Sequence, residues 1–187
     1  MIRFFFLVVY NIFMFVVNKF RYGSRWSSHW LQRISPSANV KIFGNGCISI
    51  GRNNEISADC DIQVHGKGRF SIGDGSYMNR FCMISAHNSV SIGNHCMFGP
   101  CVKIFDNNHR FSREEGVSSD LTVGSVRIGD NCWIGGGAII LRGTTIGDGC
   151  VIGAGAIVKG NIPPYSLVIS DRELVIRPMR ENHTSIS

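Results

Sequence analysis

Between Val126 and Pro163 the chain repeats itself every six residues. Ile128, Ile134, Ile140, Ile146, Ile152 and Val158 keep that step without a slip, and Val126, Cys132, Ala138, Thr144, Cys150 and Ala156 precede each of them by two. A period of six matches neither the 3.6 of a helix nor the 2.0 of a flat strand. It matches a chain that turns a corner every six residues, so that three short strands close one triangular coil. Stacked coils then bury one aliphatic ladder and one small-residue ladder, and glycine supplies corners where φ is positive. The fold class expected is all-β: a left-handed parallel β-helix of hexapeptide repeats.

Before Val126 the repeat is looser. Ten residues separate Ile62 from Ile72, and only two separate Val90 from Ile92, which predicts coil corners of altered length. The ladder stops at Ile104 and resumes at Val126, leaving a polar loop over 105–125. Long loops on rigid scaffolds tend to carry function. Pro163-Pro164 is expected to end the solenoid, because proline cannot donate to a ladder. The division expected is a segment over 1–36, a β-helix over 37–163 and an extension over 164–187.

The net charge of +6 is unevenly spread. Residues 1–54 hold seven Lys or Arg and no acidic residue, whereas 55–187 hold twelve basic and thirteen acidic ones. The excess predicts a local anionic partner and argues against a nucleic-acid-binding fold. Residues 2–17 are apolar apart from Arg3 and Asn11, and Lys19, Arg21, Arg25 and Arg33 follow, interleaved with Tyr22, Trp26 and Trp30. About 16 apolar residues fall short of the roughly 20 that a spanning helix needs. Peripheral membrane contact through residues 1–33 fits, as does a cap on the open end of the β-helix, and the two are compatible.

Seven cysteines, an odd count without a C-x-x-C pair, read as structural thiols in a reducing compartment. Cys60, Cys82, Cys96, Cys132 and Cys150 fall in the small inward slot. No metal site is expected. His65, His87 and His109 are spaced by 22, but with a coil of about eighteen residues that spacing need not bring them together. His109, in the polar loop, is the candidate general base for a hydroxyl, since a neutral imidazole suits that task near pH 7. The alternative is a solvated loop histidine.

The ladder, the loop histidine and the block NCWIGGGAIILRGTTIGDGCVIGAGAIV with its following IPP resemble the hexapeptide-repeat acyltransferases. The maltose and galactoside O-acetyltransferase branch, which includes O-acetyltransferases of bacterial surface polysaccharides, is the most similar. The resemblance covers about residues 70–180. It implies a homotrimer with acetyl-CoA as co-substrate, no metal, and an active site shared by two subunits. It places His109 as the catalytic base, Asn79 as acceptor-binding, and Trp133 at the acyl end of the pocket. It gives the Gly136 N–H to the thioester carbonyl, Ala154 to the pantetheine arm, and Arg177 to the nucleotide phosphates. Lys159 stands one position before the usual basic residue, which Gly160 replaces; both join the cofactor-binding set. Asp106 joins Asn79 as acceptor-binding, and with Glu114, Glu115 or a backbone carbonyl it is a candidate to orient His109. The activity implied is O-acetylation of a sugar or glycan hydroxyl in surface-polysaccharide synthesis, in the cytoplasm at the inner face of the plasma membrane. The alternatives are N-acetylation of an amino sugar nucleotide and a non-catalytic β-helix scaffold.

Overall fold

The computed structural model describes residues 2–170, with side chains from Phe5 onward. It is a left-handed parallel β-helix whose three faces hold seven, seven and six strands. The first face runs from Trp26–Ser28 to Asn161–Ile162, the second from Arg33–Ile34 to Leu167–Val168, and the third from Asn39–Gly44 to Ile157–Val158. The ladder positions from Ile128 to Val158 and the small positions from Val126 to Ala156 are all at most 3% exposed. The reading of the six-residue period holds.

Small inward residues close the coils by polar contacts as well as by size. The thiols of Cys60, Cys82, Cys96, Cys132 and Cys150 each donate to a carbonyl of the next coil, at 3.1–3.3 Å. The hydrogen bond with a neighbouring thiol, and after it burial, pushes Cys82 and Cys96 above the usual thiol range. Thr144 fills the same slot and satisfies its hydroxyl on the Leu141 carbonyl at 2.6 Å.

Coil length changes along the axis. On the third face Asn39 pairs with Asp61 and Asp61 with Met83, steps of 22; Met83 pairs with Lys103, a step of 20. Lys103 then pairs with Ile139, a step of 36, and Ile139 with Ile157, the regular 18. The early coils are longer because their third-face strands run on to Gly44 and Gly66 before turning. The step of 22 brings two of the three evenly spaced histidines together: His65 stacks on His87 at 4.5 Å, and Phe43 stacks on His65 at 5.0 Å.

The boundaries also move. Helix α1 spans Ile2–Tyr22 and ends where Gly23 takes φ +60°. The coils begin at Trp26, earlier than residue 37, and they continue past Pro163-Pro164 to Val168. Those prolines sit at a corner, where no ladder donor is required. Helix α1 covers the open end of the first coil: the Asn11 side chain donates to the Ile34 carbonyl at 3.0 Å and accepts from the Ile34 N–H at 3.1 Å. One buried amide thus occupies the groups that a further strand would take. The predicted end cap is present.

Candidate active site

The polar insertion is an antiparallel hairpin, Asn107–Ser112 with Gly116–Val123, leaving the corner between the third and first faces. Its base is held by Asp106, which is completely buried. The Asp106 carboxylate accepts the N–H groups of His87 at 2.8 Å and Asn88 at 2.7 Å, and the Asn107 side-chain amide at 3.2 Å. Fully buried and bonded on both oxygens, Asp106 braces the hairpin and presents no surface to an acceptor, unlike its expected role as an acceptor ligand. Burial, then the charges of His65 and His109, hold the His87 pKa below its ordinary value against the opposing pull of Asp106.

His109 lies on the first hairpin strand, and a bulge between it and Phe111 interrupts the pairing. Its Nδ1 is 3.0 Å from the Ser118 carbonyl. A carbonyl can only accept, so Nδ1 carries the hydrogen and the neutral ring keeps its lone pair on Nε2. Among the candidates for orienting the ring, the structure selects the backbone carbonyl. The imidazole faces a cleft of about 330 Å³ that also holds Glu115, Asp120 and Arg142. Arg142 carried no signal in the sequence, where it is one of nineteen basic residues. Only the coil geometry sets it beneath the hairpin.

The other expected site residues gather along a different edge, between the second and third faces. Trp133 opens the second-face strand Trp133–Ile134 and is half exposed. Gly136 occupies the corner that follows, where an added Cβ would lie 3.2 Å from Pro100. Gly135 and Gly137 donate their N–H groups to Ile152 and Pro100, whereas the Gly136 N–H has no backbone partner among the described residues. Ala154 repeats that arrangement one coil on, between Gly153 and Gly155, which donate to Val168 and Gly136. Two free N–H groups therefore stack along one edge, beside an exposed indole. Asn79 lies on the same edge on an earlier coil; its Oδ1 accepts the Arg80 N–H at 2.8 Å, leaving the amide nitrogen to reach outward.

Lys159 and Gly160 sit at the corner between the third and first faces, the hairpin's own edge, and Gly160 takes φ +98°. Its backbone explains the glycine at that place. Arg177 lies outside the described residues. One protomer therefore keeps Asn79, Trp133, Gly136 and Ala154 apart from His109, with the third face between them. Among the described residues no three His, Cys, Asp or Glu side chains group as metal ligands.

Comparison with known proteins bears on the solenoid. Residues 125–160 match the family model described as bacterial transferase hexapeptide (six repeats). Nodulation protein L of Rhizobium meliloti is 50% identical over 80 residues, which cover 43% of this chain and 44% of that protein. A Schizosaccharomyces pombe protein named as an acetyltransferase is 38% identical over 91 residues, 47% of this chain and 42% of its own length. The chain thus spans less than half the length of these curated relatives. They and the family model support the hexapeptide-repeat acetyltransferase family. Among solved structures, AntD, an N-acyltransferase from Bacillus cereus in complex with dTDP and 3-hydroxybutyryl-CoA, superposes with a TM-score of 0.67 at 21% identity, covering 81% of each chain. A hexapeptide-repeat acetyltransferase of Vibrio cholerae complexed with acetyl coenzyme A has a TM-score of 0.57 at 20% identity, covering 89% of this chain and 76% of its own. At these identities the likeness concerns the fold.

Proposed function

We propose that this chain is an acetyl-CoA-dependent O-acetyltransferase acting on a sugar hydroxyl in bacterial surface-polysaccharide synthesis, within the branch that holds the maltose and galactoside enzymes. The observation that carries the reading is the imidazole of His109, whose Nδ1–H is held by the Ser118 carbonyl at 3.0 Å, leaving Nε2 as the base. The acyl-CoA ligands of the Bacillus cereus and Vibrio cholerae neighbours support an acyl-CoA co-substrate. An acetyl-CoA donor is in keeping with a cytoplasmic reaction, and the apolar, basic N-terminus supports a seat at the membrane's inner face.

The split between the two edges supports a homotrimer, in which the hairpin of one copy meets the Trp133 edge of the next. Surface chemistry agrees. Outward positions of the first face read Ser27, Ser49, Ser71, Ser91, Arg127, Thr145 and Asn161, all polar. The second and third faces instead expose Met97, Trp133, Leu167 and Ile157, each more than half accessible. Burying those rows between copies is favourable.

In the mechanism, His109 Nε2 removes the proton of the acceptor hydroxyl as its oxygen attacks the thioester carbonyl carbon. The oxyanion that forms is met by the free Gly136 N–H of the neighbouring copy; one such donor contributes roughly 3–4 kcal/mol. The carbon–sulfur bond then breaks, the thiolate takes the proton from the imidazolium, and the products are an acetyl ester and free CoA. Trp133 and Ala154 line the acyl-CoA arm, Lys159 and Arg177 meet its phosphates, and Asn79 holds the acceptor. The test is mass spectrometry of acetyl transfer to a panel of neutral glycans and amino sugar nucleotides. Acetyl esters on glycans are expected. Amide products alone would shift the reading to N-acetylation, and no product with any acceptor would leave only a scaffold.

A further inference from the structure

Helix α1 has two faces of opposite character. Its inward face is tied to the solenoid through Asn11 and through Tyr22, which is buried and stacked on Trp26 at 5.9 Å. Its outward face is a stripe at helical spacing: Phe5, Phe6, Val9, Ile12, Phe13, Val16 and Phe20, all exposed, with Phe20 at 94%. A contiguous apolar stripe of this length marks an interaction surface. Lys19 and Arg21 stand exposed in the last turn, Arg25 follows, and no acidic residue occurs before Glu55. Apolar area bordered by uncompensated positive charge is complementary to an anionic lipid surface. A spanning orientation would pull Asn11 off Ile34 and uncover the edge of the first coil, so the helix lies in the plane of the interface.

Two clefts connect this helix to the candidate acceptor site. One of about 480 Å³ is lined by Phe6, Leu7, Tyr10 and Pro36. The next, about 300 Å³, starts at the same Leu7 and climbs past Arg33, Glu55 and Tyr77 to Asn79 and Arg80. The lower cleft is apolar apart from the Tyr10 hydroxyl, and the upper one adds the polar side chains of Arg33, Glu55, Asn79 and Arg80 to an apolar floor. The strands Arg33–Ile34, Glu55–Ile56 and Tyr77–Met78 are successive neighbours, so Asn79 stands two strand spacings, ~10 Å, above the first coil. A sugar borne on a lipid headgroup spans that height.

We infer that the acceptor is a membrane amphiphile: its hydrocarbon lies in the groove beside Phe6, Leu7 and Tyr10, and its sugar rises along the Arg33–Tyr77 cleft to Asn79, while the outward stripe seats the enzyme on an anionic bilayer. This rests on the acetyltransferase reading for the sugar. The lipid contact itself requires no turnover, so the two are tested apart.

The experiment uses the full chain with vesicles of phosphatidylcholine, with and without phosphatidylglycerol, containing a phosphatidylglycerol whose acyl chain bears a diazirine. The protein is expected to sediment with the anionic vesicles and much less with pure phosphatidylcholine, and added salt should weaken the association. Illumination should attach lipid both to the stripe and to Leu7 or Tyr10, and leave the serine-lined first face unlabelled. Phe13→Asp and Phe20→Asp should each lower vesicle binding by about tenfold or more with little change in Tm, because these side chains are largely exposed. Adducts on the stripe alone would overturn the groove, and absence of adducts would overturn the lipid partner altogether. Loss of oligomeric mass in Phe13→Asp, with no vesicle binding by the parent, would assign the stripe to a second copy instead. Acetyl transfer to soluble glycans in the same preparation reports independently on the enzyme reading.

Discussion

In the coils from Val126 to Val158 each inward side chain is at most 3% exposed, whereas in the hairpin from Asn107 to Val123 no side chain is buried. Both are β structure, joined through Asp106, yet different forces hold them. The coils are held by apolar burial repeated at every step. The hairpin is held by its own ladder and by one buried carboxylate at its base. Such a division would let the solenoid stay fixed while the hairpin presents His109 in the proposed site, which needs both rigidity and access. Substitutions on the two sides should therefore separate activity from stability.

The largest effect is expected for His109→Ala. Its kcat should fall by about 10²–10⁴, equivalent to roughly 3–5 kcal/mol of transition-state stabilisation, with the thermal midpoint unchanged. Turnover near the parent's would remove the proposed base. Ile152→Ala, its counterpart in the coils, should lower unfolding free energy by about 2–5 kcal/mol through lost burial and a cavity. Denaturant melts would measure that loss, and kcat per folded molecule should stay within a factor of two or so of the parent.

Asp106→Ala sits where the two regions meet and should affect both. Removing the carboxylate leaves the His87 and Asn88 N–H groups unpaired, about 1–3 kcal/mol of stability. The hairpin should also loosen, so kcat should drop while Ile152→Ala leaves it alone; equal kcat in the two variants would break the comparison. Asn79→Ala should raise the acceptor KM several-fold and leave acetyl-CoA binding as it was. Calorimetric titration of acetyl-CoA decides that case, since parallel losses would refute an acceptor role.

The smallest effect concerns pH. His87 is held below its ordinary pKa in the folded protein, chiefly by burial, so the unfolded chain binds a proton more readily in that range. The stability that this residue contributes is complete above its unfolded pKa, about 6.5, and is lost as pH falls toward the lower folded value. Melts across pH 7 to 5 should show a decline that His87→Gln reduces, whereas Ile152→Ala should leave the slope unaltered.

The coils were legible in the chain because every turn repeats one packing demand: an aliphatic residue, then a small one, six apart. The looser spacing before Val126 announced corners of altered length, but a ladder residue looks alike whether its coil has 18 or 22 residues, so the stacking that follows was not legible. Strand pairing alone sets the coil length, and the coil length stacks Phe43, His65 and His87. The hairpin read as a structureless loop because both of its faces meet solvent, leaving no alternation to detect. Even so, the polarity of 105–125 and the histidine within it marked the segment that the structure sets apart from the solenoid.

The sequence by itself determined the solenoid, its inward ladders and the apolar, basic end, because each is a periodic or compositional property carried by neighbouring residues. Tertiary structure decided what depends on residues far apart in the chain. It buried Asp106 under His87 and Asn88, chose the Ser118 carbonyl to hold His109, set Arg142 beneath the hairpin, and put the Gly136 edge across a face from the imidazole. Contacts of that kind depend on coil lengths and corner shapes summed over the whole fold, and no local pattern encodes them.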